Sequence, residues 1–338
     1  MFERNVGAFT KYGIIAILAF ILIGCGVTGR NQAPNSQPET ATTFKVAIIL
    51  PSAIDDGSWS QSGYEGLKLI EKQLGAKVAY TDKTNNISDP EIKNIFDDYA
   101  KQKFDFIIGH GGNCIPPAEA VAKEFLRTKF AVVTTYGGNN ANLGSLSFRV
   151  GEVGYLTGVV AALKTKTNKV SYIGGMDYPS LKETATLFER GAKAIKPDIS
   201  VTVAWVGSWV DKAKAESIAQ TQIRSGIDVI SVNADPGSQV VHQIAKNKGI
   251  YTIGWYQDQY QQAPGTVLTS AIQKIPELLL QGATLVREGR WEGKQYKFGL
   301  QEKVQKLAPF RGSLTTEQEA IVNKITEDIV TGKIDVSP

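Results

Sequence analysis

Cysteine and histidine are the scarcest chemistry in this chain: 338 residues hold two of each. The cysteines are Cys25 and Cys114. Once Cys25 is engaged elsewhere no intrachain disulfide can form, so stability must come from a packed core. The histidines, His110 and His242, are far apart, and no compact cluster of metal ligands appears. Patterns of the kind H-E-x-x-H, C-x-x-C, G-x-S-x-G or G-x-x-x-x-G-K-[ST] are absent. Asp55, Asp56 and Asp258 are loop carboxylates whose spacing defends no acid–base pair, so neither catalysis nor a cofactor nor a metal is expected. A basic cluster is missing as well. Lys and Arg number 37 against 33 Asp and Glu, scattered along the chain, which argues against a nucleic-acid surface.

The N-terminus is the most legible segment. Arg4 and Lys11 precede an apolar run from Gly13 to Gly24. That run is short for a permanent membrane span and has the length of a secretory h-region. It ends in Leu22–Cys25 (LIGC), which resembles a lipobox: cleavage before Cys25, whose thiol then carries lipid. Residues 1–24 are therefore expected to be a lipoprotein signal peptide. Residues 25–43, rich in Gly, Pro, Asn, Gln, Ser and Thr, cannot bury enough apolar surface to offset their ordering entropy and read as a flexible tether. The expected location is the extracytoplasmic face of the cell membrane, held by lipid. Loss of Glu3, Arg4 and Lys11 with the leader leaves 35 basic and 32 acidic residues, a nearly balanced chain.

From Phe44 onward, short apolar runs alternate with amphipathic ones. Strands are expected at 44–50, 77–81, 104–109, 129–135, 145–150, 169–174, 200–206, 228–233, 250–255 and 266–271. Helices are expected at 58–74, 88–101, 115–127, 151–164, 180–195, 211–225, 237–247, 275–289 and 315–331. Nearly continuous apolar strands alternating with helices predict parallel, doubly wound α/β sheets covered on both faces. Ser88 and Asp211 stand where helix N-caps belong. The length allows two lobes. We place residues 44–150 and about 257–300 in lobe 1, and residues 151–256 and about 301–338 in lobe 2.

In open parallel sheets, ligands bind beyond the carboxyl ends of the strands. The segments found there are 55–60 (DDGSWS), 109–114 (GHGGNC), 134–138 (TTYGG), 175–179 (GMDYP), 207–211 (GSWVD), 233–238 (NADPGS), 254–259 (GWYQDQ) and 270–273 (SAIQ). The glycine-rich 109–112 run lacks the rest of a dinucleotide fingerprint and fits a tight strand-end turn as well as a ligand contact. His242 lies in a helical pattern and reads as structural, and Cys114 as a small buried residue at a helix start. Trp205 fits a strand core, and Trp291 a helix end. Trp59, Trp209 and Trp255 all follow strands, where each is as readily core as ligand wall. Two rings from opposite sides of one cleft would make a slot for a flat π system, each stacking contact worth roughly 1–3 kcal/mol.

Residues 44–309 resemble the basic membrane protein family across several separate motifs. Asp56–Gln61 (DGSWSQ) stands where the family has Asp-Lys-Ser-Phe-Asn-Gln. Gly151–Leu163 is similar to its Glu-Gly-Ser-Tyr-Leu-Ala-Gly run, and Gly174–Met176 to its Gly-Gly-Met. Val206–Asp211 stands for Gly-Ser-Phe-x-Asp, Ile253–Gln259 for Ile-Gly-Val-Asp-x-Asp-Gln, and Val267–Ser270 matches directly. The resemblance implies a lipoprotein with a type I periplasmic-binding-protein fold, serving as monomeric receptor for an ABC importer and purine-nucleoside-receptor-like in its site. Two aromatics sandwich the base in the nucleoside receptors; they map onto Trp59 and Trp209. A first-loop acid that reads the base edge maps to Asp56 or Asp55. The ribose end departs: the family Asp falls at Tyr256, the family Lys at Gln273, and Ala-Gly-Gly-Thr-Gly is replaced by residues 233–238. Losing both charges removes charge-assisted hydrogen bonds of roughly 1.5–3 kcal/mol each. Other details lie closer to a Med-like branch, known for a positive regulator of competence. Ligand contacts are thus expected from Asp55, Asp56, Trp59, Ser60, His110 and Gly111 in lobe 1. From the later loops they are expected from Trp209, Asp235, Tyr256, Asp258 and Gln273. The ligand expected is a purine or a similar heterocycle, with an ABC permease as partner.

Overall fold

The computed structural model describes residues 43–57, 59–235 and 237–337. The expected signal peptide, Cys25 and residues 25–42 of the expected tether lie outside them. Among the described residues the chain builds two six-stranded sheets. The first contains β1 (Lys45–Ile49), β2 (Lys77–Thr81), β3 (Phe106–Gly109), β4 (Lys129–Val133) and β5 (Leu143–Phe148). The second contains β6 (Lys169–Gly174), β7 (Ser200–Trp205), β8 (Val229–Asn233), β9 (Tyr251–Tyr256) and β10 (Val267–Gln273). A short strand closes each sheet: β11 (Gln295–Phe298) runs parallel to β5, and β12 (Gln305–Leu307) antiparallel to β10. The orders are β11-β5-β4-β3-β1-β2 and β12-β10-β9-β8-β6-β7.

The central strands β1, β3 and β8 bury nearly every residue, as apolar runs covered on both faces must. Helices α1 (Trp59–Leu74), α2 (Asp89–Lys101) and α3 (Ile115–Ala122) accompany the first sheet. Helices α4 (Val150–Lys164), α5 (Pro179–Ile195), α6 (Lys212–Arg224) and α7 (Gly237–Lys248) accompany the second. The expected caps form: the Glu91 carboxylate accepts from the Ser88 backbone and hydroxyl at 2.8 and 2.7 Å, and the Asp211 carboxylate accepts from Lys214 N–H at 2.9 Å.

The chain passes between lobes three times. Helix α8 (Ile275–Arg287) returns to lobe 1, where Ile275, Leu278 and Leu279 pack with Leu67 and Ile70 of α1. Helix α9 (Thr316–Val330) packs in lobe 2. One boundary needs correction. Residues 257–273, expected in lobe 1, belong to lobe 2, because β10 is hydrogen-bonded between β9 and β12. The crossover therefore comes after Gln273, and lobe 1 regains the chain only with α8.

Two crossovers are tied together. Arg149 donates to the Glu152 carboxylate at 2.9 Å, to the Lys297 carbonyl at 3.2 Å, and forms an ion pair with Glu302. Glu152 in turn accepts from Leu300 N–H at 2.6 Å, and Glu302 from Gly299 N–H at 2.8 Å. Burial raises the Glu152 carboxyl above its usual range despite these partners. This network fixes the strap on which the two lobes meet.

Candidate functional site

A cleft of about 890 Å³ lies between the lobes at the carboxyl ends of the strands. Lobe 1 contributes Trp59, Gly111, Thr134 and Ser147, and lobe 2 contributes Tyr178, Thr184, Trp209, Asn233, Asp235, Tyr256 and Asp258. Phe148, Val150, Gln273 and Ile275 line it from the crossovers. Among the described residues, no group of His, Cys, Asp and Glu is arranged to hold a metal ion.

Trp59 opens α1, and its ring is held from behind. It stacks on His110 with centroids 4.3 Å apart and planes 17° apart. Its indole N–H donates to the His110 carbonyl at 3.0 Å, while His110 Nε2 donates to the Trp59 carbonyl at 2.8 Å. His110 fits there because Gly63, one turn into α1, has no side chain. A Cβ at Gly63 would come within 2.8 Å of the imidazole. One indole face is therefore spoken for by His110, and the other is left for the cleft.

Trp209 follows β7 in lobe 2 and is likewise seated on a glycine. A Cβ on Gly175 would stand 2.5 Å from its six-membered ring. The Gly-Gly pair at 174–175 makes room for two tryptophans, since Gly174 does the same for Trp205 at 2.2 Å. Trp255 is different. It lies inside β9, fully buried, donating to Ser231 Oγ at 3.0 Å, and is a core residue.

Of the expected ligand residues, Trp59, Gly111, Trp209, Asp235, Tyr256, Asp258 and Gln273 line the cleft. Four do not. His110 is fully buried behind Trp59. Ser60 is buried and accepts from Ser52 N–H at 2.9 Å. Asp56 accepts from Ser60 and Gln61 N–H at 3.1 and 3.0 Å, holding the first turn of α1, where a carboxylate is favoured. Asp55 is exposed outside the lining. All four share the same strand-end loops as the lining residues, but their side chains support the wall or face away from it.

The lobe 2 corner carries a polar relay. Gln259 is almost fully buried; its amide donates to Asp235 Oδ2 at 2.8 Å and accepts from His242 Nε2 at 2.9 Å. The Thr252 hydroxyl donates to His242 Nδ1 at 2.8 Å. Burial raises the Asp235 carboxyl above its usual range. Tyr256 projects from a left-handed backbone, φ 68°, rare for a bulky residue. Burial, then the charge of Asp235, pushes its phenol up to about 12, so it stays a donor. Asp258 pairs with Arg311. Sequence reasoning passed over Asn233 and Thr184. Asn233 ends a strand like many polar residues, and nothing in the sequence distinguishes Thr184 from any helical threonine.

The family model described as ABC transporter substrate-binding protein PnrA-like matches residues 43–337. The chain belongs to that family. Its members are extracytoplasmic receptors that hand a small solute to an ABC permease, and it shares their type I periplasmic-binding-protein fold. A purine-binding protein of Brucella abortus is 28% identical over 285 residues, covering 84% of this chain and 79% of the relative. The transcriptional activator protein med of Bacillus subtilis is 27% identical over 301 residues, covering 89% and 90%. Among solved structures, a transcriptional activator of the comK gene from Bacillus halodurans superposes with a TM-score of 0.75 at 24% identity, covering 86% of this chain and 99% of that one. Among the described residues no helix is long and apolar enough to cross a membrane.

Proposed function

We propose that this protein is the monomeric, lipid-anchored solute receptor of an ABC importer, binding a purine or another flat heterocycle between its lobes without turnover. The observation that carries the ligand class is the pair of cleft tryptophans, Trp59 and Trp209, one from each lobe and each backed by a fixed partner. Closure of the lobes would sequester the ring between them, and the closed form would dock on the permease. The purine-binding relative supports the same class. The test is calorimetry with purine bases, nucleosides and related heterocycles, joined to radiolabelled uptake in a strain lacking the gene. A binder whose uptake drops in that strain is expected; a panel without any binder removes the heterocycle from the reading.

The anchor is proposed to be lipid on Cys25, with residues 25–43 as tether. Cys25→Ser protein is expected to leave the membrane fraction for the medium or the soluble fraction, measured by fractionation and blotting. Retention at the wild-type level would exclude the anchor.

A second function, as a regulator that uses the same cleft for sensing, is favoured by the similarity to the med activator. Deletion that alters gene expression while leaving uptake intact would favour it over transport.

A further inference from the structure

The charge of the cleft is one-sided. Its described lining holds no Lys, Arg or His; the charged groups are Asp235 and Asp258. Asp258 is neutralised by Arg311, whereas Asp235 has no ion-pair partner among the described residues. Its carboxyl is hydrogen-bonded by Ser238 and by the Gln259 amide, the latter held in place by His242, by the Trp255 N–H at 3.3 Å and by its own N–H bond to Ser270 at 3.1 Å. Two residues earlier, at the end of β8, Asn233 is 5% exposed and lines the same corner. Its Oδ1 is buried without a hydrogen-bond partner. The Tyr172 hydroxyl beside that carboxamide is likewise unpaired; buried polar atoms are nearly always paired, so the corner keeps hydrogen-bonding capacity that a ligand's donor can fill.

We propose that the Asn233 carboxamide and the Asp235 carboxylate form a donor-recognition corner that takes an amino, ring N–H or ammonium group of the ligand and excludes ligands bearing phosphate or carboxylate. This rests on the solute-receptor reading and narrows it. A donor satisfies Oδ1 and the carboxylate together, and a charge-assisted bond to Asp235 is the stronger of the two. An anionic ligand would bring like charge to a part-buried carboxylate with no cation in the lining to offset its desolvation.

The test is titration calorimetry on the full chain purified in detergent, using adenine, guanine, cytosine, their nucleosides and the nucleoside 5′-monophosphates. For the tightest binder, Asn233→Leu and Asp235→Asn should each weaken binding by about tenfold or more, as expected when a hydrogen bond to a buried partner is removed. Asn233→Gln keeps a carboxamide acceptor without adding charge and should recover most of the affinity lost in Asn233→Leu, a rescue that a purely structural role would not give. The matching 5′-monophosphate should bind about a hundredfold more weakly than the uncharged compound. Circular dichroism confirms folding of each variant, and Asp235→Asn, which keeps the bond from Gln259, carries the test if Asn233→Leu does not fold. Wild-type affinity in the corner variants, with Trp59→Ala weakened, would overturn the corner while leaving the aromatic slot standing. Equal affinity for the monophosphate would overturn the exclusion. If wild type binds nothing in the panel, the heterocycle-receptor reading falls and the corner with it.

Discussion

Alanine at both Trp59 and Trp209 is expected to weaken binding of the heterocyclic ligand by about a hundredfold or more. Each stacking contact is worth roughly 1–3 kcal/mol, and 1.4 kcal/mol is tenfold in affinity. The structure makes the double variant a fair test of the slot. The bond from His110 Nε2 goes to the backbone carbonyl of Trp59, so it survives the loss of the indole. Trp209 is only half-buried against Gly175, so its removal opens no core cavity. The single variants should each weaken binding by about tenfold, and the effects should add in free energy if the two rings contact opposite faces of one ligand. Titration calorimetry decides the matter. Affinity within threefold of wild type in the double variant, with an unchanged circular-dichroism spectrum, would remove the aromatic slot from the account.

The alternation of apolar runs and helical patterns carried most of the fold. Helix starts at Ser88 and Asp211 were legible because a capping side chain is a local device. The strands β11 and β12 were not, because three or four residues of mixed polarity at a sheet edge carry no periodicity to detect. Missing them moved the lobe boundary. Without β12 as its antiparallel neighbour, nothing in Val267–Gln273 says which sheet it joins. Helix α3 stops at Ala122, short of the expected 127, although its sequence continues with helix formers. At the site, the sequence named the loops and both tryptophans but could not sort walls from supports. His110 and Asp56 are as polar and as loop-bound as Asp235. One is turned inward by the space over Gly63, and the other is consumed by the first turn of α1. Asn233 shows the converse: an ordinary strand-end residue becomes notable only when its buried oxygen is found without a partner.

The protein is also expected to lose stability as pH falls from about 6.5 to about 4, because His110 and His242 are both buried in neutral form. Burial lowers each imidazole to about 4, against 6.5 for the unperturbed group. His110 spends its Nε2–H on the Trp59 carbonyl, and its Nδ1 has no partner, so a second proton there would be a buried donor with nowhere to point. His242 donates to Gln259 and accepts from Thr252; protonating its Nδ1 would force the Thr252 hydroxyl to turn away. Above 6.5 both histidines are neutral whether the chain is folded or not, and their contribution is constant. Between 6.5 and 4 the unfolded chain binds protons that the folded chain refuses, so folding free energy is lost with falling pH, up to about 3 kcal/mol for each group. Glu152 and Asp235, raised by burial, act in the opposite sense, since the folded state binds their protons more readily. Urea unfolding at intervals from pH 7.5 to 4.5 measures the net slope, and His110→Gln and His242→Gln separate the two contributions. Each variant should be less stable than wild type at pH 7.5 yet show a flatter decline toward pH 4.5. A wild-type midpoint that does not move over this range, or variants that keep the wild-type slope, would show that neither imidazole sets the acid limit. The relay from His242 through Gln259 to Asp235 adds a functional reading of the same experiment. In the folded chain His242 takes up its proton only near pH 4, so ligand affinity in wild type, read by titration calorimetry, should hold through the upper part of this window and fall only as pH approaches 4, and His242→Gln should flatten that fall.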